Sequence, residues 1–186
     1  QASDEVIHLT PHPHPHFTIK ECLEQPEAIA RALSYGARLH GSKVVLGGLD
    51  QNIAKFQNVN SVLLTGCGTS KYASEFGAKL MRDLGCFDVA FVLDAAEIRR
   101  SDISVKNGCV IAVSQSGETK DVVRAVKEAQ NKGVPVLSVV NQVGSHVARM
   151  TGLGVYLNAG REQAVASTKA FTSQITVLAL IALWFR

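Results

Sequence analysis

Residues 62–70 read VLLTGCGTS, and residues 110–119 read VIAVSQSGET. Each stretch opens with apolar residues, several of them β-branched, and closes with glycines and hydroxyl side chains, which is typical of a buried strand followed by a turn. Segments with apolar residues at helical spacing follow both stretches. The pair therefore predicts a parallel sheet whose strands are joined by helices.

The same pattern predicts five strands separated by helical segments. The strands are Val62–Thr65, Val89–Leu93, Val110–Val113, Val136–Val140 and Val155–Leu157. Two of the helical segments carry an apolar stripe that we expect to cover a face of the sheet. The stripes consist of Tyr72, Phe76, Leu80 and Leu84 in one segment and of Val122, Val126 and Ala129 in the other.

These elements predict an α/β fold, a three-layer αβα sandwich around a five-stranded parallel sheet. Right-handed crossovers and continuously apolar strands favour the flavodoxin-like order 2-1-3-4-5. In that order strands 1 and 3 are neighbours at the point where the winding direction reverses. Open α/β sheets bind ligands beyond the carboxyl ends of such strands.

Three segments are predicted along the chain. Residues 1–16 end in alternating proline and histidine, so they are expected to form an extended linker or tail, with metal binding by histidines 12, 14 and 16 as the alternative. Residues 17–60 form a lead-in packed on the domain, helical from Glu21 to Leu39. Residues 61–186 form the ligand-binding domain, which ends in a truncated, long apolar helix.

Composition narrows the class of ligand and the compartment. The formal charge of +3 arises from 19 basic and 16 acidic residues without a basic run, which favours a small anion over a nucleic acid. Four cysteines without zinc-ligand spacing predict reduced thiols in the cytoplasm, and no metal or cofactor is expected. The apolar segment Ile175–Phe185 is too short to cross a bilayer, and no export signal precedes the domain.

The two loops after strands 1 and 3 carry the chemistry. Each precedes a helix whose first N–H groups lack intrahelical partners and whose dipole favours an oxyanion. Serine and threonine hydroxyls and the Gln115 amide add donors for a phosphate. The alternative is that Ser70, Ser116 and Thr119 only cap helices, but two loops converging on one crevice favour the phosphate.

Two further features leave alternatives open. Gly66-x-Gly68 also fits a dinucleotide-binding loop with Asp94 as the ribose-binding acid, but Lys71 occupies the place of the third glycine. A third cluster, residues 162–172, follows strand 5 and has small side chains that leave room for a ligand. Lys169 in this cluster is either a charge partner or a solvated residue near a helix start.

Five blocks together resemble the glutamine-fructose-6-phosphate aminotransferase family. They are EQP at 24–26, LGGL at 46–49, GCGTS at 66–70, SQSGET at 114–119 and VASTKAFT at 165–172. Enzymes of that family join a glutaminase domain to two tandem sugar isomerase (SIS) domains and convert fructose 6-phosphate into glucosamine 6-phosphate. The resemblance implies that this chain is the first of the two isomerase domains.

The resemblance also implies roles for matching positions. The phosphate of fructose 6-phosphate or glucosamine 6-phosphate would be bound by Ser70, Ser114, Gln115, Ser116 and Thr119. The sugar would be bordered by Cys67, Gly68, Thr69, Val165, Ala166 and Ser167.

No catalytic residue is expected in this chain. The family's Schiff-base lysine, enolising glutamate and ring-opening histidine belong to the second isomerase domain and the C-terminal tail, and its nucleophilic cysteine belongs to the glutaminase domain. His40 and His146 match none of these positions, and Glu118 is expected to stabilise its turn or the following helix. The prediction is therefore binding without turnover.

The sequence also leads to expectations about binding partners and to one alternative function. The missing glutaminase and second isomerase domains are the expected partners, together with a second copy in a homodimer. The rival is a non-catalytic SIS-type sensor of sugar phosphates in a regulator. A regulator would carry a DNA-binding helix before the domain, and residues 1–60 contain no basic recognition helix.

Overall fold

The computed structural model describes residues 10–186. The helices are α1 (Phe17–Leu23), α2 (Gln25–Ala32), α3 (Gly47–Asp50), α4 (Thr69–Asp83), α5 (Lys120–Asn131), α6 (His146–Thr151) and α7 (Lys169–Phe185). The strands are β1 (Leu39–His40), β2 (Lys43–Val44), β3 (Ser61–Gly66), β4 (Val89–Asp94), β5 (Gly108–Ser114), β6 (Val136–Val140) and β7 (Gly154–Tyr156).

Five of the strands form one parallel sheet in the order β4-β3-β5-β6-β7. Counted from β3, this is the predicted order 2-1-3-4-5, so the predicted fold class is confirmed. Strand β3 lies between β4 and β5, and Gly66 pairs with Asp94 while Thr65 pairs with Ala112. The carboxyl ends of β3 and β5 therefore lie side by side.

Successive residues of the central strands pack on opposite faces of the sheet. In β5, Ile111 and Val113 belong to the core shared with α4 and α7, while Val110 and Ala112 belong to the core shared with α5. The predicted stripe of α5 is buried against this second core. Because both faces are covered by helices, the strands are predominantly apolar, as parallel strands usually are.

The predicted stripe of α4 is wrong at its first two positions. Tyr72 is 61% exposed and Phe76 is 41% exposed, whereas Leu80 and Leu84 are half-buried. The buried face consists of small residues instead, namely Ser70, Ala73, Ser74, Gly77 and Ala78, followed by Met81. Small side chains let α7 and the sheet approach the backbone of α4 closely, which bulky aromatic residues would prevent.

The lead-in is less helical than predicted. Helix α1 begins earlier than expected, at Phe17, and ends before Glu24, and α2 starts with Pro26 in its first turn, where a missing N–H costs nothing. Helical structure does not continue to Leu39, because Ser34 and Tyr35 adopt positive φ angles and end the segment. A β1–β2 hairpin and α3 then lead to β3.

The predicted tail is described only in part. Residues 1–9 lie outside the described residues, and Pro11–His14 form a turn in which the His14 N–H donates to the Pro11 carbonyl at 2.9 Å. This part of the predicted linker is therefore not extended. Among residues 10–186, no helix combines the length and apolarity needed to cross a bilayer.

Candidate functional site

A cavity of about 230 Å³ lies beyond the carboxyl ends of β3 and β5. Its walls come from the loop before α4, the loop before α5, and the irregular segment 157–168 that precedes α7. The volume is below the roughly 300–1,000 Å³ of pockets for drug-sized ligands, so the cavity suits a small polar molecule.

The structure brings nine of the predicted site residues to this cavity. They are Cys67, Thr69, Ser70, Ser114, Gln115, Ser116, Thr119, Val165 and Ser167. Gly68 and Ala166 are exposed next to these residues but do not line the cavity. Val113, Glu162 and Ala164 also line it; none of them was a predicted site residue, although Glu162 and Ala164 belong to the cluster 162–172 that was expected to leave room for a ligand.

Serine hydroxyls in the cavity accept hydrogen bonds from protein N–H groups. Ser114 Oγ accepts from the Gly117 amide at 3.0 Å, and Ser116 Oγ accepts from the Glu118 amide at 3.2 Å. Ser70 Oγ accepts from the side-chain amide of a residue on α7 at 2.9 Å. A serine hydroxyl has one hydrogen and two acceptor lone pairs, so the hydroxyl hydrogens of Ser70 and Ser116 stay available for an anion. The Ser114 hydroxyl also contacts the Thr119 hydroxyl, and either of the two can be the donor in that contact.

The alternative in which these hydroxyls only cap helices does not fit the geometry. In the described chain, neither α4 nor α5 has a side-chain hydrogen bond to its first turn from its N-cap residue, which is Gly68 for α4 and Thr119 for α5. The Thr119 hydroxyl instead lies 3.4 Å from Ser114 Oγ. The N-terminal ends of both helices border the cavity, so the positive ends of their dipoles lie beside it, although the Ser70 and Lys71 amides of α4 already donate to the Cys67 and Gly68 carbonyls.

Within residues 10–186, no lysine or arginine lines the cavity. Its single ionisable carboxylate, Glu162, is occupied at the start of α7, where its Oε1 accepts from the Thr168 amide at 2.8 Å and from the Ala170 amide at 3.2 Å. The groups that could attract an anion here are therefore helix N-termini and hydroxyls rather than cationic side chains.

The turn between Ser114 and Thr119 depends on one glycine. Gly117 has φ +66°, and a Cβ placed on it would lie only 2.2 Å from Ser145 Oγ. Glu118 then reaches across, and its Oε1 accepts from the His146 amide at 2.8 Å, at the start of α6. The sequence predicted that Glu118 stabilises its turn or the following helix. It does stabilise a helix, but this helix is α6 and not α5.

Glu21 of the lead-in holds the segment before α7. Its carboxylate is 2% exposed and accepts from the Gln163 amide at 2.5 Å and from the Ala164 amide at 3.2 Å. No role for Glu21 was predicted from the sequence. The only feature of the sequence that pointed to this role was an acidic residue inside a helix that was predicted to be buried on one side.

Lys169 is a charge partner and not a solvated residue. It is 5% exposed, and its ammonium group donates to the Glu24 carboxylate, while Thr172 on the same helix donates to Gln25. The lead-in block EQP and the block VASTKAFT, far apart in sequence, are therefore bound to each other beside the cavity.

Cys67 forms a neutral part of the cavity wall. Burial raises the pKa of its thiol, and the nearby carboxylates of Asp94 and Asp121 raise it further. The thiol therefore stays protonated at neutral pH and is a poor nucleophile. Asp94 is itself occupied by the Ala96 amide, which donates to its Oδ1 at 3.0 Å.

A larger concave surface of about 540 Å³ lies at the other end of α7. Aromatic and aliphatic side chains, including Phe56, Trp184 and Phe185, make up much of its lining. Ser42, Lys43, Gln57 and Arg186 also line it, but none of the predicted site residues does. Residues 10–186 also contain no group of three or more His, Cys, Asp or Glu side chains that could hold a metal ion.

Known proteins of one enzyme class are similar to most of this chain. The chain is 38% identical to the glutamine-fructose-6-phosphate aminotransferase from Chlorobaculum tepidum over 90% of its length. It is also 38% identical to the enzyme of the same name from Thermococcus kodakarensis, over 91% of its length. The chain spans 27% of the length of each relative.

A solved structure, the C-terminal domain of glucosamine-fructose-6-phosphate aminotransferase from Francisella tularensis, superposes with a TM-score of 0.85. It is 28% identical, and the match covers 95% of this chain and 49% of that one. The family model of the SIS domain matches residues 55–184, which is well over half of the chain. The chain therefore belongs to the SIS domain family.

Proposed function

We propose that this chain binds the phosphate of fructose 6-phosphate or glucosamine 6-phosphate in the cavity between the loops before α4 and α5. The observation that carries the proposal is the state of Ser70 and Ser116, whose Oγ atoms each accept a protein N–H and so keep a hydrogen for the ligand. The Ser114 hydroxyl lies in the same cavity and accepts from the Gly117 amide. Hydroxyls from neighbouring strands thereby act as a ready-made set of donors at two helix N-termini.

In this proposal the phosphate occupies the end of the cavity formed by Ser70, Ser114, Gln115, Ser116 and Thr119. The sugar then extends toward Cys67, Thr69, Val165 and Ser167, with Gly68 and Ala166 at the edge of its site. Neutral Cys67 fits contact with sugar hydroxyls better than covalent chemistry.

The parent protein is proposed to be a glutamine-fructose-6-phosphate aminotransferase, with this chain as its first isomerase domain. The similarity to such enzymes over about nine-tenths of the chain supports this proposal. The second isomerase domain and the glutaminase domain would supply the chemistry, so the isolated chain binds without turnover.

We also propose the division of the chain into a tail up to residue 16, a lead-in from 17 to 60 and an SIS domain from 61 to 186. The proposed assembly is a homodimer located in the cytoplasm. Four free cysteines fit a reducing compartment.

Calorimetric titration of the chain with fructose 6-phosphate and with fructose tests the proposed function. Ser116→Ala removes one donor to a charged group, which is worth about 1.5–3 kcal/mol, so its affinity for fructose 6-phosphate should fall roughly 10- to 150-fold. Binding of fructose should change little. Ser101→Ala, outside the cavity, is the matched control and should leave both affinities unchanged.

Equal losses for the sugar and its phosphate would show that the phosphate does not lie at Ser116. Absence of any binding by the folded, unaltered chain would refute the proposed function.

A further inference from the structure

Gln174 is a buried amide at the interface between α7 and α4. It has no exposed surface, and its Nε2 donates to Ser70 Oγ at 2.9 Å. Its Oε1 has no hydrogen-bond partner among the residues that the structure describes. Leaving a buried carbonyl oxygen unpaired is costly, so an apolar side chain would serve simple packing better at this position.

Close packing of the two helices brings Gln174 to Ser70. A Cβ placed on Gly77 would lie 3.1 Å from Leu178 Cδ1, which shows how near α7 runs to the backbone of α4. Ser70 and Gly77 are seven residues apart on α4, and Gln174 and Leu178 are four apart on α7. Each pair therefore shares a helix face, and both faces belong to the same interface.

The bond from Gln174 determines what the Ser70 hydroxyl can do. Ser70 Oγ is an acceptor toward Gln174, so its own hydrogen is not used in that contact. Ser70 lines the cavity, and its backbone carbonyl is occupied by the Ser74 hydroxyl at 2.8 Å. The side-chain hydrogen is thereby left to an anion in the cavity.

We infer that Gln174 is a positioning residue, which orients the Ser70 hydroxyl as a donor to the phosphate of the bound sugar. The inference rests on the proposed function, because it needs a phosphosugar in the cavity. Gln174 itself does not line the cavity, and its effect on the ligand passes through Ser70.

A double-mutant cycle with fructose 6-phosphate tests this inference. Gln174→Met keeps the length of the side chain and removes the N–H donor, and it should weaken binding about 10-fold, the loss expected for one misoriented bond to a charged group. In a Ser70→Ala chain the same change should weaken binding less than about 2-fold. Equal losses in both backgrounds would show a structural effect and overturn the inference.

Gln174→Glu provides a second readout that packing alone would not move. A carboxylate can only accept, so it draws the Ser70 hydrogen away from the cavity, whereas a protonated carboxyl can donate as the amide does. The ratio of the variant's dissociation constant to that of the unaltered chain should therefore fall toward one as the pH is lowered. A ratio that does not change with pH contradicts the proposed orientation of the amide.

Ser173→Ala is the matched control, because Ser173 is fully buried on the same helix and its Oγ also lacks a partner in the described chain. Its affinity for fructose 6-phosphate should equal that of the unaltered chain. No binding by the unaltered chain would overturn both the proposed function and this inference. Normal binding that Gln174→Met leaves unchanged would overturn this inference alone.

Discussion

Replacing Glu21 by glutamine should loosen the segment that precedes α7. The Glu21 carboxylate accepts from two backbone amides, Gln163 and Ala164. A glutamine can keep the Oε1 atom that accepts from both amides, but it loses the negative charge and turns an NH₂ group toward the Ala164 amide in place of Oε2. A hydrogen bond to a charged acceptor is worth about 1.5–3 kcal/mol and one to a neutral acceptor about 0.5–1.5 kcal/mol, so over two bonds the free energy of unfolding should fall by about 2–3 kcal/mol.

For a chain of this size, each kcal/mol corresponds to a change in Tm of about 2–4 °C, so Glu21→Gln should lower Tm by about 4–12 °C. Urea unfolding measures the free energy, and hydrogen exchange of the Gln163 and Ala164 amides reports on the segment itself. Glu27→Gln is the control, because that carboxylate is exposed and its pair with Arg31, at 3.5 Å, should contribute less than about 1 kcal/mol. Unchanged stability and unchanged exchange in Glu21→Gln would refute the reasoning.

Two further changes test the walls of the cavity. Gly117→Ala places a Cβ 2.2 Å from Ser145 Oγ at a positive φ, so urea unfolding should show that the free energy of unfolding falls by about 2–4 kcal/mol. Adding Ser145→Gly should restore part of this loss. An unchanged urea midpoint in Gly117→Ala would contradict the turn geometry. Asp94→Asn removes a charge that raises the pKa of Cys67, so the thiol should ionise at lower pH and react faster with iodoacetamide at about pH 8. An unchanged rate would show that Asp94 does not act on Cys67.

Local patterns were sufficient to predict the sheet. The strands are short apolar runs bounded by turn residues. Strands β3, β4 and β5 are each longer than predicted by one to three residues, and β6 has the predicted bounds. The fifth, β7, is shifted by one residue toward the N-terminus. Because right-handed crossovers restrict the order of parallel strands, the adjacency of β3 and β5 followed from the pattern.

The packing face of α4 could not be predicted from apolar spacing. Tyr72 and Phe76 form the more apolar stripe, yet the buried face is the one with Ser74 and Gly77. Burying small residues gains contact when a second helix can approach closely, and that approach depends on α7, which lies about a hundred residues later in the chain. Helical periodicity alone contains no information about such a distant neighbour.

Residues that support the site were missed for the same reason. Gln174 and Ser70 are 104 residues apart, and Glu21 and Gln163 are 142 apart. Cavity-lining hydroxyls are recognisable because they follow strands directly, but a supporting side chain can come from any element that packs nearby. Gln174 gave no distinctive local signal, because Lys169, Thr172, Ser173 and Thr176 make the start of α7 polar as well.

The lead-in is part of the architecture of the site, although none of its residues lines the cavity. Glu21 fixes the segment before α7 through two amides, and Glu24 neutralises Lys169 at the first turn of α7. A buried ammonium without its partner would be costly, so loss of Glu24 would shift α7 as well as destabilise it. Since α7 also carries Gln174, the position of α7 affects Ser70 through the hydrogen bond from Gln174. The contacts thus form a continuous path from the lead-in to the proposed phosphate site, which explains why blocks outside the cavity accompany the two hydroxyl-rich loops.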